Sequence, residues 1–320
     1  TTPHPAARLP APGGGFRNHR TMTQALDSLL DLLDLERIEQ DIFRGVSRPS
    51  LVPRVFGGQV AAQALVAAGR TVPDDRPAHS LHAYFLRPGD AGAPIVYTVD
   101  RIRDGRSFTT RRVVAVQHGQ PIFHLSASFQ TYEEGLEHQE PMPPAPDPRT
   151  LPDAEEMLPK YAHLFGDPEV PRRLSEARAA VDLRYVNEPP YAAAVSGPSE
   201  PRSQVWFRTN GRLDGERDQP MLHICLATYV SDMTLLDSVL LAHGRGGWAV
   251  GDVVGASLDH AMWFHRPFRA DEWLLYDQES PTAQGGRGLG KGRIFTEDGR
   301  LAVSVIQEGV VRVPHGRTAG

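Results

Sequence analysis

A chain of 320 residues, with 34 Lys and Arg against 39 Asp and Glu, is long enough for two cores. Its net charge of −5 gives no basic excess that would make nucleic acid the main partner. The one cysteine, Cys225, excludes an internal disulfide and no apolar run reaches the length of a membrane span, so the composition predicts a soluble, cytoplasmic protein of a reducing compartment.

Residues 1–22 mix proline, glycine and arginine without the apolar core of a signal peptide, and are expected to form a disordered tail. Met22 stands just before the first amphipathic segment, where a start would stand. From residue 23, Leu26, Leu29, Leu30, Leu33 and Ile38 follow helical spacing and predict a short surface helix. Arg44 to Pro53 reads as a loop. Gly57 and Gly58 then lead into Q-V-A-A-Q-A-L-V-A-A-G, a helix apolar almost all round, whose small residues let a sheet approach closely.

Strands are expected at His79 to Leu86, Ile95 to Ile102, Phe108 to Gln117 and Pro121 to Gln130, with turns at Pro88-Gly89, Asp104-Gly105 and His118-Gly119. A buried helix followed by an antiparallel sheet that curls round it is the α+β pattern called the hotdog. Residues 132–180 are proline-dense, then carry short broken helical patterns, and read as a crossover. Two strand candidates follow, Val181 to Val186 and Gln204 to Asn210. A second buried helix is predicted over Met221 to Leu241, and four more strands at Ala256 to His265, Glu272 to Glu279, Gly290 to Phe295 and Leu301 to Val311.

The later half repeats the earlier one. H-S-L-H-A-Y-F-L-R-P at His79 to Pro88 returns as S-L-D-H-A-M-W-F-H-R-P at Ser257 to Pro267, with an offset of 178 at His82 and His260, 179 at Arg87 and Arg266, and 180 at the turn glycines Gly119 and Gly299. The expected architecture is a double hotdog, with units at 23–131 and 181–313 joined by 132–180, and a short tail at 314–320. Anchored on the turns, this register sets His79 against Ser257 and Ala127 against Gln307. A rigid offset of 177 would instead set Ser80 against Ser257 and Gln130 against Gln307. Hairpin turns fix strand pairing, which favours the first.

Three polar residues of the second unit stand where such a fold is apolar or close-packed: Asp232 within the buried helix, Ser257 at the start of a strand, and Gln307 in the apolar last strand. Each has a structural reading, a carboxylate that caps a loop or meets an arginine, a bland strand serine, an amide that satisfies backbone groups. Their coincidence in one unit is what points to chemistry. Other signals do not hold: G-G-R-G-L-G-K at 285–291 has phosphate-loop spacing, but Gly292 stands where Ser or Thr must hold magnesium, and a strand follows in place of a helix. His260 and His265 alternate to opposite faces, H-E-x-x-H is absent, and so is a G-x-S-x-G elbow, so no metal, no cofactor and no serine-hydrolase nucleophile are expected.

The strings R-V-F-G-G-Q-V-A-A-Q-A-L, H-S-L-H-A-Y-F-L-R-P-G-D, Y-V-S-D-M, S-L-D-H-A-M-W-F-H-R-P-F and V-I-Q-E-G-V-V-R together resemble the acyl-CoA thioesterase II family, the TesB-type double hotdog. The likeness runs from about Leu26 to Arg312. It implies a hydrolase that splits fatty acyl-CoA into free acid and CoA, with Asp232, Ser257 and Gln307 as its catalytic trio; the middle position is often threonine in the family. A carboxylate would accept the proton of an attacking water, while the hydroxyl and amide hold that water. Arg87, Arg266, Arg287 and Lys291 are candidates for the CoA phosphates. The competing reading is a non-catalytic acyl-CoA-binding or regulatory protein of the same fold. Self-association into a dimer or larger assembly is expected.

Overall fold

The computed structural model describes residues 19–47, 54–247 and 249–314. The tails expected at 1–22 and 314–320 fall outside them except for residues 19–22 and 314, as do 48–53 of the expected loop. The first helix, α1 (His19–Leu33), starts within the expected tail and is not a surface helix: Leu26, Leu29 and Leu33 are buried in the main core. Ile38, expected on that helix, lies exposed on a strand instead. A hairpin of β1 (Glu36–Glu39) and β2 (Ile42–Gly45) turns at Asp41, whose φ is 62°, and takes up the first part of the expected loop.

The central helix α2 (Gly57–Gly69) buries alanines on every side, as its composition requires. It is followed by β3 (Ala78–Phe85), β4 (Ile95–Asp104), β5 (Phe108–Gln117) and β6 (Gln120–Gln130). Residues 132–147 form no regular structure, yet they are tied to the second half. Pro146 accepts from Trp206 Nε1 at 3.0 Å, and Gln139 bridges Gly299 and Leu301. Met142, Ala145 and Leu151 cover an outer cluster of Trp206, Trp273, Leu275 and Phe295. Two short helices, α3 (Ala154–Tyr161) and α4 (Val170–Ala177), complete the crossover.

The second half holds β7 (Val181–Tyr185), α5 (Pro190–Ser196), β8 (Arg202–Thr209), α6 (Pro220–Ser231), α7 (Asp237–Leu241), β9 (Val254–Ser257), β10 (Asp259–Phe264), β11 (Leu274–Gln284), β12 (Arg287–Thr296) and β13 (Leu301–Arg312). All strands but β9 follow one antiparallel order, β1-β2-β4-β5-β6-β3-β10-β13-β12-β11-β8-β7, with β9 on the side of β13. The halves meet at β3 and β10, where Ala83 pairs with His260 and Leu81 with Met262. This is a double hotdog: each central helix lies against its own curved sheet, and α2 also packs on α6.

The pairing settles the internal alignment. In the first half the β5–β6 ladder slips by one residue between Ala115 and Val116, and in the second half the β12–β13 ladder slips between Ile294 and Phe295. Superposing those slips makes Arg111 the counterpart of Gly290 and Ala127 the counterpart of Gln307, as the turns predicted. On β3 the expected register is one residue off. The slip between Ala78 and Ser80 against β6 matches the break between Ser257 and Asp259 against β13, so Ala78, not His79, answers to Ser257. Likewise the counterpart of buried His260 is buried Leu81, not exposed His82. Both halves carry this irregularity at the same place, so the offset stays at 179, the spacing of Arg87 and Arg266, and the matching His-Ala dipeptides at 82–83 and 260–261 are not structural equivalents.

Candidate active site

The predicted helix over 221–241 is broken. α6 stops at Ser231, Asp232 caps it with φ −83° and ψ −4°, and α7 starts at Asp237. Ser and Asp favour helix ends because their side chains compete for hydrogen bonds. Here the bonds are far away in sequence. Ser257 Oγ, at the end of β9, donates to Asp232 Oδ1 at 2.8 Å, and Gln307 Nε2, in β13, donates to the same oxygen at 2.5 Å. The three residues picked out from the sequence therefore meet, with the carboxylate at a helix end, not within a helix. Two donors on one oxygen are what an ionised carboxylate accepts best.

The other oxygen, Oδ2, faces the first half. A Cβ built on Gly57, the first residue of α2, would lie 2.6 Å from Asp232 Oδ2 and 2.9 Å from Phe85 Cε1; one built on Gly58 would lie 2.4 Å from the carbonyl oxygen of Tyr229. At Gly58 the obstacle is backbone and only glycine fits; at Gly57 a side chain would have to displace the Asp232 carboxylate or the Phe85 ring. The positive end of α2, with backbone N–H groups that no helical carbonyl can satisfy, is thus brought beside the carboxylate. From the sequence Gly57-Gly58 reads only as a lead into a helix; what the pair does depends on which residue of the other half it approaches.

The floor of the site explains the glycine-rich run at 285–292. A Cβ at Gly288 would strike Val239, at Gly290 Leu235, and at Gly292 the ring of Tyr276. Of these alternate glycines of β12, Gly288 and Gly290 make room for the 232–241 segment to lie against the sheet, and Gly292 for the Tyr276 ring. Their first-half counterparts are Thr109, Arg111 and Val113, whose side chains occupy the same inner face. Arg111 is 1% exposed and donates to Thr71 Oγ1, to the carbonyls of Thr71, Arg103 and Thr110, and to Asp104.

His260 and Ser231 were not among the expected site residues. His260 is buried beside the trio, with Nε2 2.8 Å from Ser231 Oγ. Burial pushes its imidazole below the ordinary histidine range, while the charges of Asp232 and Asp259 pull the other way. Asp259 points elsewhere: its Oδ1 accepts from the Glu308 amide at 2.7 Å and secures the break between β9 and β10. His265 bonds Ser304 on the outer face. Among the described residues, no three His, Cys, Asp or Glu side chains converge as a metal site would need.

The four cations expected at the CoA phosphates all have protein partners. Arg87 bonds the Pro121 carbonyl, Arg266 those of Leu301 and His138, Arg287 pairs with Glu308, and Lys291 with Glu279. Beside the trio instead is Arg54, whose Nη2 donates to the carbonyl of Gly255, two residues before Ser257, at 2.5 Å. No helix among the described residues is long and apolar enough to cross a membrane.

A family model described as acyl-CoA thioesterase matches residues 174–310, and one described as acyl-CoA thioesterase N-terminal domain matches residues 48–130. The chain is 44% identical over 292 residues to acyl-coenzyme A thioesterase 8 of Homo sapiens, covering 88% of each chain. It is 42% identical to acyl-CoA thioesterase 2 of Haemophilus influenzae, covering 91% of this chain and 99% of that one. Among solved structures, an acyl-CoA thioesterase II of Mycobacterium marinum shares 45% identity with a TM-score of 0.71, over 90% of this chain and 99% of that chain.

Proposed function

Because this chain belongs to the acyl-CoA thioesterase family and is an acyl-CoA hydrolase, we propose that Asp232, held by Ser257 and Gln307, is the general base that activates water against the thioester carbonyl. The observation that carries this reading is the convergence of both donors on a single carboxylate oxygen. It fixes the carboxylate plane and leaves Oδ2 to accept from the attacking water. Oδ2 faces the start of α2, so a water bound there lies between base and helix end.

The chemistry follows from that arrangement. The water oxygen forms a bond to the thioester carbon as its proton passes to Asp232, the carbonyl oxygen takes up negative charge, and collapse expels the CoA thiolate, which takes that proton back from Asp232 and leaves as CoA thiol, restoring the carboxylate. The products are a carboxylic acid and CoA. The first-turn amides of α2 are the donors placed to meet the oxyanion, a contribution on the order of 3 kcal/mol per donor in comparable sites. No acyl-enzyme forms, since the Ser257 hydroxyl is committed to Asp232 and has no histidine base beside it. The catalytic half is the one at 181–313, and the first half contributes the helix end.

The test is Asp232→Asn, assayed by release of CoA thiol and, separately, by binding of an acyl-CoA. Turnover is expected to fall by about a hundredfold or more while binding persists. Equal loss of both would make Asp232 a structural acid, and a trapped acyl group on Ser257 would refute the one-step reading.

A further inference from the structure

Two buried polar atoms next to the trio lack a hydrogen-bond partner: His260 Nδ1 and Gln307 Oε1. They belong to neighbours. The β10–β13 ladder pairs Met262 with Val305 and Ala261 with Ile306, so its next step sets His260 across from Gln307, and both are buried, at 1% and 0% exposure. Antiparallel neighbours on one face have side chains within reach of each other. A histidine nitrogen and an amide oxygen can satisfy each other only if the nitrogen carries the proton.

The proton of Ser231 decides this. Its Oγ is 2.8 Å from His260 Nε2 and 2.9 Å from the carbonyl of Thr228. If the hydroxyl donates to the carbonyl, Nε2 must be the protonated nitrogen, and Nδ1 and Oε1 face each other as two buried acceptors. If the hydroxyl donates to Nε2, Nδ1 is protonated and can donate to Oε1. The first arrangement leaves two buried acceptors facing each other, whereas the second pairs them and releases only the Thr228 carbonyl from the Ser231 hydroxyl; buried polar groups are seldom left unsatisfied, which favours the second.

We infer that His260 is a positioning residue for Gln307: its Nδ1–H holds the amide oxygen, so that the NH2 end, not the oxygen, meets Asp232. An amide turned the other way would set its oxygen against the carboxylate and repel it. The chain Ser231, His260, Gln307, Asp232 thus fixes the polarity of the site from behind, a role that rests on the function given above to Gln307. None of its members but Gln307 and Asp232 needs to touch substrate.

The test is a double-mutant cycle on the full chain, combined with 15N NMR of histidine-labelled protein in which the His260 signals are identified by their loss in His260→Asn. The wild type is expected to show a protonated Nδ1 and an unprotonated Nε2. His260→Leu is expected to lower kcat by about tenfold with KM little changed, and to cost less than about twofold in a Gln307→Ala background, because coupled groups are non-additive. His260→Asn, whose amide nitrogen lies near the place of Nδ1, keeps kcat within about threefold, whereas His260→Gln, which mimics Nε2, falls as far as leucine. That pair decides the matter if His260→Leu does not fold. A protonated Nε2, equal losses in both backgrounds, or glutamine outperforming asparagine would overturn the inference. If Gln307→Ala leaves kcat unchanged, the function given to Gln307 falls and the positioning role with it; if that variant is inactive but the tautomer is the wrong one, only the role of His260 falls.

Discussion

Where Gln307 lies across the ladder from Gly290 in the second half, Ala127 lies across from Arg111 in the first. The exchange is one of volume as well as chemistry. The first half fills its inner face with an arginine side chain that ties β5 to the turn after α2; the second leaves glycine there and brings in Leu235, from the turn that starts with Asp232. The segment between central helix and following strand runs from Arg70 to Pro77 in one half and from Asp232 to Val253 in the other, and only the longer one contains a further helix. A sheet that packs its own side chains under the helix end is stable and inert. One that leaves its backbone bare can seat a functional segment, at the cost of needing glycine at alternate positions. The halves are also complementary, because the first supplies the start of α2 to the second.

This contrast can be broken in graded steps. Arg111→Ala has the largest expected effect, and on stability: three carbonyls and Thr71 lose their donor in a dry interior, so unfolding free energy should drop by about 3 kcal/mol, read from denaturant titration, with kcat per folded molecule unchanged. A comparable loss of kcat without loss of stability would mean that the first half carries chemistry of its own. Gly57→Ala should act oppositely. Its methyl group meets the Asp232 carboxylate, so thiol release should slow by roughly tenfold to a hundredfold while the melting temperature moves little. Wild-type turnover in that variant would show that the helix start has no part in the reaction. Ser257→Thr should have the smallest effect, a change in kcat of less than about threefold, since the hydroxyl that bonds Asp232 is kept and one methyl is added at a half-buried position. A large loss there would show that the hydroxyl's surroundings are tighter than its exposure indicates.

Much of this molecule was legible before any coordinates. Two alanine- or leucine-rich helices each followed by alternating strands gave the hotdog pattern, and the turn glycines fixed the β6–β13 register to the residue, because hairpin geometry is local. Asp232, Ser257 and Gln307 stood out as polar residues at apolar positions. What failed has an identifiable cause. The buried helix was read straight through 221–241 because its apolar composition continues past Ser231, and nothing local says that the Asp232 side chain will be claimed by β9 and β13. His79 was set against Ser257 because the His-Ala dipeptides at 82–83 and 260–261 match in sequence although they lie one residue out of register in the sheet. His260 was not picked out as a site residue because its place across from Gln307, 47 positions away in sequence, is set by strand pairing.

The sequence by itself determined the secondary-structure plan, the duplication and the residue types of the site, because each is written in local periodicities or in short strings that can be matched wherever they recur. Only the tertiary structure decided that a glycine of the first half abuts a carboxylate of the second, that Arg111 fills the inner face where Gly290 leaves it open, and that the buried His260 comes to lie across from Gln307. These depend on the close packing of segments far apart in the chain, where a difference of one side chain's volume or one proton's position separates a filled core from a reactive one.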